Sequence, residues 1–353
     1  QWGRDTMIAL PGLTLETGKP AICREILLAW CNRLKDGLLP ELIPWSPDAE
    51  IPYRSPDPSL WMFWTVQKYL AQTGDLDGIQ GTIFNTLGSI LRDIIDGKAP
   101  HIQVQKDGLL WVGDSHATYS WMDAVIDGVP VTPRHGLLVE QNALWHNALN
   151  FYRELCERLH ADPPANISLL ADQTGPALVK RFWCENTRAL ADSVDEKGVH
   201  DVIRPNMIFA VSLPYSPLTR DQKRSVIEVV VRDLVTPYGI RSLAPREPGY
   251  IGEYSGNPAK RDLSYHNGTV WPWLLGHFVE AYLSISNEPE AARERLRYEL
   301  APLFNRHLRE GGVGLVSEIF NGNPPHKCKG CFAQAWSVAE VLRAWNLLNQ
   351  RTT

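Results

Sequence analysis

The chain has no run of basic residues, no stretch of roughly 18 to 20 apolar residues, and only six cysteines and four methionines among 353 residues. The first absence removes the electrostatic footprint of phosphate-backbone binding: 35 lysines and arginines are scattered among 40 aspartates and glutamates, at a net charge of −5. Nucleic acid is therefore not an expected partner. The second absence leaves nothing long enough to cross a bilayer as a helix, and no charged-then-apolar leader opens the chain. No membrane association is expected, and the expected compartment is the cytoplasm. Cys23, Cys31, Cys156, Cys184, Cys328 and Cys331 are too dispersed for a disulfide scaffold and are expected to be reduced. Cys328-Lys-Gly-Cys331 is a lone CxxC, so neither zinc nor redox chemistry is expected there. An initiator methionine is also lacking. Gln1-Trp2-Gly3-Arg4-Asp5 begins inside a segment already rich in functional residue types, so an N-terminal domain is expected upstream.

What is present points to a large helical protein. Apolar residues recur at three- and four-residue steps near 5–17, 20–34, 57–73, 76–96, 138–158 and 171–190, and again near 203–214, 218–234, 268–286, 288–309 and 329–349. Strand signals are confined to 108–112 and 239–243. Some helices read apolar nearly all round, such as 270–276, and others amphipathic, such as 288–309. That alternation predicts concentric helical layers, an all-α toroid of about eleven helices, with a twelfth expected before residue 1. Residues 1–353 read as one catalytic domain. The connections 35–56, 97–120, 244–267 and 310–328 are longer than ordinary loops and hold too many aromatics for solvated linkers. They are expected to pack over one end of the toroid and form a pocket.

Sugars have apolar faces and polar edges, so a sugar pocket combines aromatic platforms with carboxylate, amide and guanidinium groups. The 13 tryptophans cluster beside such groups in Trp2-Gly3-Arg4-Asp5, Asp57 to Trp61, Trp121-Met122-Asp123, Glu140-Gln141-Asn142, Arg204-Pro205-Asn206 and Tyr265-His266-Asn267. Hydrolysis of a glycosidic bond ordinarily needs two carboxyl groups. Asp123 is the candidate acid, because Trp121 and Met122 would desolvate its carboxyl and raise its pKa; its alternative is a helix N-cap. Glu318, in the apolar stretch 314–320, is the candidate base, and its alternative is a structural ion pair with an arginine.

These strings, with Thr236-Pro237-Tyr238-Gly239, Ser317-Glu318-Ile319-Phe320 and Ala333-Gln334-Ala335-Trp336-Ser337, resemble the glucosidase domain of glycogen debranching enzymes along essentially the whole chain. The resemblance implies an (α/α)6 barrel, an inverting mechanism with Asp123 as acid and Glu318 as base, and release of glucose from α-1,6 branch points of glycogen, limit dextrin or another branched α-glucan. It implies substrate contacts from Trp2, Arg4, Asp5, Asp57, Trp61, Trp121, Glu140, Asn142, Arg204, Asn206, His266, Asn267, Trp271, Gln334 and Trp336. No metal and no organic cofactor is called for. Gln141 stands where an aliphatic residue is common in the family, and Asn267 where glutamine is common. Phosphorolysis, sugar epimerisation and non-catalytic glucan binding are the rival readings. The first would dispense with Glu318, and the second would rest on His266.

Overall fold

Helices Gly3–Leu10, Asp57–Thr73, Val139–Arg158, Phe209–Ser212, Leu275–Ile285 and Ala335–Asn349 each pack on the next, and the last packs on the first. The computed structural model describes residues 1–46, 48–310 and 312–350. Helices Pro20–Cys31, Thr82–Ile95, Ala165–Phe182, Arg220–Asp233 and Pro289–Glu299 lie outside this closed ring and pack on its members. The result is the expected (α/α)6 barrel. The two layers differ in sequence for a physical reason. Val139 to Tyr152 is buried without a break, as an inner helix requires, whereas Thr82–Ile95 buries Ile83, Leu87, Ile90, Leu91 and Ile94 on one face. Local signals set the ends. Thr219 and Gln222 form a reciprocal capping box at the start of Arg220–Asp233, and Gly74, at a φ of 66°, closes Asp57–Thr73. Ring closure also depends on Gly12, where a Cβ would stand 2.2 Å from the Ala339 carbonyl oxygen.

Several boundaries differ from expectation. Gly81, at a φ of 93°, breaks the segment 76–96 into two helices. The segment near 171–190 is instead helix Ala165–Phe182 followed by a hairpin pairing Trp183–Cys184 with Ala189–Leu190. Tyr265 ends a helix, Pro258–Tyr265, capped by the Asn257 side chain, inside what reads as a loop. Short strands are more numerous than expected and form two five-stranded antiparallel sheets between the helices. One joins Ile102–Val104, Leu110–Val112, Gly136–Leu138, Ser193–Asp195 and Gly198–His200. The other joins Val235–Thr236, Gly239–Arg241, Val270–Trp271, Ile319–Phe320 and Cys328–Lys329. Positions 47 and 311, within two of the long connections, and 351–353, in the expected domain, lie outside the described residues.

Two histidines inside the barrel carry a pH dependence. Burial holds His277 well below the ordinary histidine range, and burial with Arg153 nearby holds His146 at about 4. In the unfolded chain both titrate near about 6.5. Above that pH neither state is protonated there and the pair contributes no slope. As pH falls from about 6.5 toward 4, the unfolded chain takes up protons that the folded chain does not, and stability drops by up to about 1.4 kcal/mol per pH unit per histidine. Denaturant midpoints between pH 7 and 4.5 are expected to fall, with a shallower fall in His146→Gln.

Candidate active site

The first turn of the ring and the long connections enclose a cavity of about 510 Å³ at one end of the barrel, within the range of small-ligand sites. Its walls come from both ends of the chain. Arg4 and Asp5 enter from the first turn of Gly3–Leu10, and Trp2, half exposed and bridged to Leu42, stands at the mouth. Trp121 and Asp123 enter from the connection before strand Val125–Ile126, and His266 and Trp271 flank the turn after Pro258–Tyr265. Glu318 precedes strand Ile319–Phe320, while Gln334 and Trp336 sit at the start of the last inner helix. These ten of the predicted site residues, both candidate carboxyls among them, therefore line one cavity.

Asp123 is not a helix N-cap. Its Oδ2 lies 3.4 Å from Arg4 Nη1 and its Oδ1 3.5 Å from His266 Nε2, while its side chain remains 38% exposed. Burial raises its pKa, but His266 and Arg4 more than offset that, so the carboxyl is held below its ordinary value. The expected upward shift from Trp121 and Met122 is thus overturned in the ligand-free site. Asp5 is raised instead, pushed up to about 6 by burial and by the negative charges of Asp123 and Glu318, against the pull of Arg4, and burial raises Glu41 as well. Glu318 forms no ion pair with arginine among the described residues. Its Oε1 accepts a short hydrogen bond from the Tyr265 hydroxyl, and its Oε2 accepts one from the Cys331 amide at 2.7 Å. Burial and the Glu318 charge raise Tyr265, so the phenol keeps its proton and stays a donor. Gly330 completes this cradle, since a Cβ there would stand 2.4 Å from Glu318 Oε2.

Seven residues expected to touch substrate lie behind the walls, each occupied by an internal partner. Asp57 is buried against Arg4 Nε at 2.8 Å and accepts from Gln141 at 2.6 Å. Trp61 packs edge-on against Phe209 and Trp64 in the ring centre. Glu140 is paired bidentately with Arg134, and Asn142 is bonded to the backbone of Leu110 and Leu138. Arg204, pulled down to about 10 by burial, donates to the carbonyls of Ser242 and His266 and to Asn267 Oδ1, which also accounts for Asn267. Asn206 accepts from Trp121 Nε1 and donates to Asp192, both at 2.7 Å. They support the site from beneath: Arg134 grips Asp192, Asp192 holds Asn206, and Asn206 fixes the Trp121 indole. Trp121 in turn packs edge-on on Trp271 and Trp273, and Trp273 stacks on Trp336 at 4.8 Å.

Sequence reasoning missed Glu41, Arg54, Thr118 and Ser120 among the lining residues, and it marked Tyr265 within the string Tyr265-His266-Asn267 without giving it a site role. Glu41 and Arg54 face each other across the rim at 3.5 Å. Both lie in the connection 35–56, expected to cover the pocket, but nothing in it singled out these two side chains. Tyr265 was marked by its place beside His266.

With this geometry in view, a family model described as amylo-alpha-1,6-glucosidase matches residues 1–343. A glycogen debranching enzyme from Saccharomyces cerevisiae is 23% identical over 376 residues, which cover 80% of this chain and 24% of the yeast protein. The chain thus spans about a quarter of the length of that curated relative. Among solved structures, a GH63 mannosylglycerate hydrolase from Thermus thermophilus in complex with Tris superposes with a TM-score of 0.69 at 14% identity, covering 98% of this chain and 93% of that one. A GH78 family rhamnosidase from a Bacillus species does so with a TM-score of 0.63 at 16% identity, covering 98% and 31%. At these identities the likeness is one of fold.

Proposed function

The chain belongs to the amylo-alpha-1,6-glucosidase family of glycoside hydrolases, and from that premise we propose that it releases glucose from α-1,6 branch points of glycogen or limit dextrins by an inverting mechanism. The observation that carries this reading is the pair Asp123 and Glu318 lining one cavity with different partners. In the proposed complex the terminal glucose occupies the cavity with Arg4 and Asp5 on its hydroxyls and the Trp121, Trp271 and Trp336 indoles around its apolar faces. A sugar seated against the partly exposed Asp123 displaces water from it, which favours the protonated carboxyl needed to release the bridging oxygen. Glu318, held in its cradle by Tyr265 and Cys331, is left to deprotonate a water on the other side of the ring. Inversion needs roughly 6.5 to 9.5 Å between such carboxyls, so that the water fits.

The substrate partner is thus a branched α-glucan, and residues 1–353 act as one catalytic unit. Anomer-resolved NMR on a 6-O-α-glucosyl dextrin tests the reading. β-Glucose is expected as the first product. α-Glucose as the first product overturns inversion, and release of glucose 1-phosphate only when phosphate is supplied overturns hydrolysis.

A further inference from the structure

Outside the lining of the sugar cavity, the His135 ring and the carboxylates of Asp195 and Glu196 bring three ligand atoms within 4.8 Å of one another. The backbone holds them there. His135 leads into strand Gly136–Leu138, which pairs with Ser193–Asp195 in the register Leu137 to Val194, and the turn 196–197 returns the chain to Gly198–His200. The two backbones approach so closely that a Cβ on Gly136, at a φ of 84°, would stand 2.4 Å from the Val194 carbonyl oxygen. His135 is therefore carried against Asp195 by the sheet rather than by a flexible loop.

The atoms are arranged as ligands. His135 Nε2 lies 3.0 Å from Glu196 Oε2 and 4.0 Å from Asp195 Oδ2, the second too long for a hydrogen bond. Ligands held at about 2.0–2.2 Å by one tetrahedral ion stand on the order of 3–4 Å apart. The other carboxylate oxygen, Asp195 Oδ1, is already used: it accepts from the Lys197 amide at 2.7 Å and faces His200 Nε2 at 2.9 Å. That nitrogen is shielded from solvent yet not aligned to hydrogen-bond with any partner. A carboxylate whose one oxygen is fixed by an amide, with an imidazole set close against it, is left with the other free to ligate, and such outer contacts orient metal ligands. His135 is buried and the Asp195 side chain is 9% exposed, while the Glu196 side chain is 59% exposed, which leaves a way in.

We propose that His135 Nε2, Asp195 Oδ2 and the Glu196 carboxylate bind one divalent ion, with His200 orienting Asp195. One imidazole and two carboxylates suit Zn²⁺, which binds such donors more tightly than Mn²⁺. Its role is structural. Arg134 precedes His135, and Asp192 precedes the strand that carries Asp195, so an ion here fastens together the two segments whose ion pair underlies Trp121.

Calorimetric titration of the full chain with ZnCl₂ after EDTA treatment tests this without any assay of hydrolysis. One equivalent is expected, with a raised thermal midpoint. His200→Gln is expected to weaken binding by about 10- to 100-fold, and Glu196→Gln, at an exposed position, by at least as much. No saturable binding in the wild type overturns the proposal. So does binding that persists in Glu196→Gln and vanishes in Cys328→Ser, which would move the ion to the exposed cysteine pair.

Discussion

Glu318→Gln is expected to slow glucose release from a 6-O-α-glucosyl dextrin by about 10²- to 10⁴-fold, the usual contribution of a positioned base. The amide keeps the shape of the carboxyl and can still meet the Tyr265 hydroxyl and the Cys331 amide, so the cradle and the fold should persist. What is lost is the site that takes a proton from water. The companion Asp123→Asn should lose a comparable factor on the dextrin but much less on α-glucosyl fluoride, whose leaving group departs without protonation. Glu318→Gln should be equally slow on both. Initial rates on the two substrates, with unchanged circular dichroism, separate the roles. Two variants with the same profile would remove the assignment of one acid and one base.

Arg134→Met should cost the fold about 3–5 kcal/mol, the range for removing one partner of a buried ion pair. Arg134 meets Glu140 at 2.5 and 2.7 Å and Asp192 at 2.6 and 3.0 Å, and all three side chains are almost wholly buried. Burial already raises the Glu140 carboxyl, and Arg134 is the main influence opposing it. Without the guanidinium, Glu140 is left uncompensated, and Asp192 keeps the Asn206 amide at 2.7 Å but, as a cation, only Arg204 at 3.9 Å. Denaturant unfolding measures the loss, and adding Glu140→Gln should recover part of it by removing one orphaned charge. A change below about 1 kcal/mol, the scale of an exposed pair, would mean that water reaches the cluster.

The barrel was legible because burial on all sides and burial on one side leave different patterns, plain in Val139–Arg158 and Thr82–Ile95. The walls of the cavity were legible where polar and aromatic residues adjoin, as at Trp2 to Asp5 and Trp121 to Asp123. Depth was not. Asp57, Glu140 and Asn206 have the residue types of sugar ligands, yet the same donors and acceptors serve equally to hold other side chains in place. Local neighbours also misjudged the charge on Asp123. Trp121 and Met122 adjoin it in sequence, but Arg4 and His266, which prevail, are brought to it only by the folded ring.

Because the first inner helix leans on the last, the cavity draws on side chains from Trp2 to Trp336, nearly the full span of the sequence. A nascent chain therefore has no sugar site until Trp336 has left the ribosome. A protease cut in any long connection threatens the whole pocket rather than one wall of it.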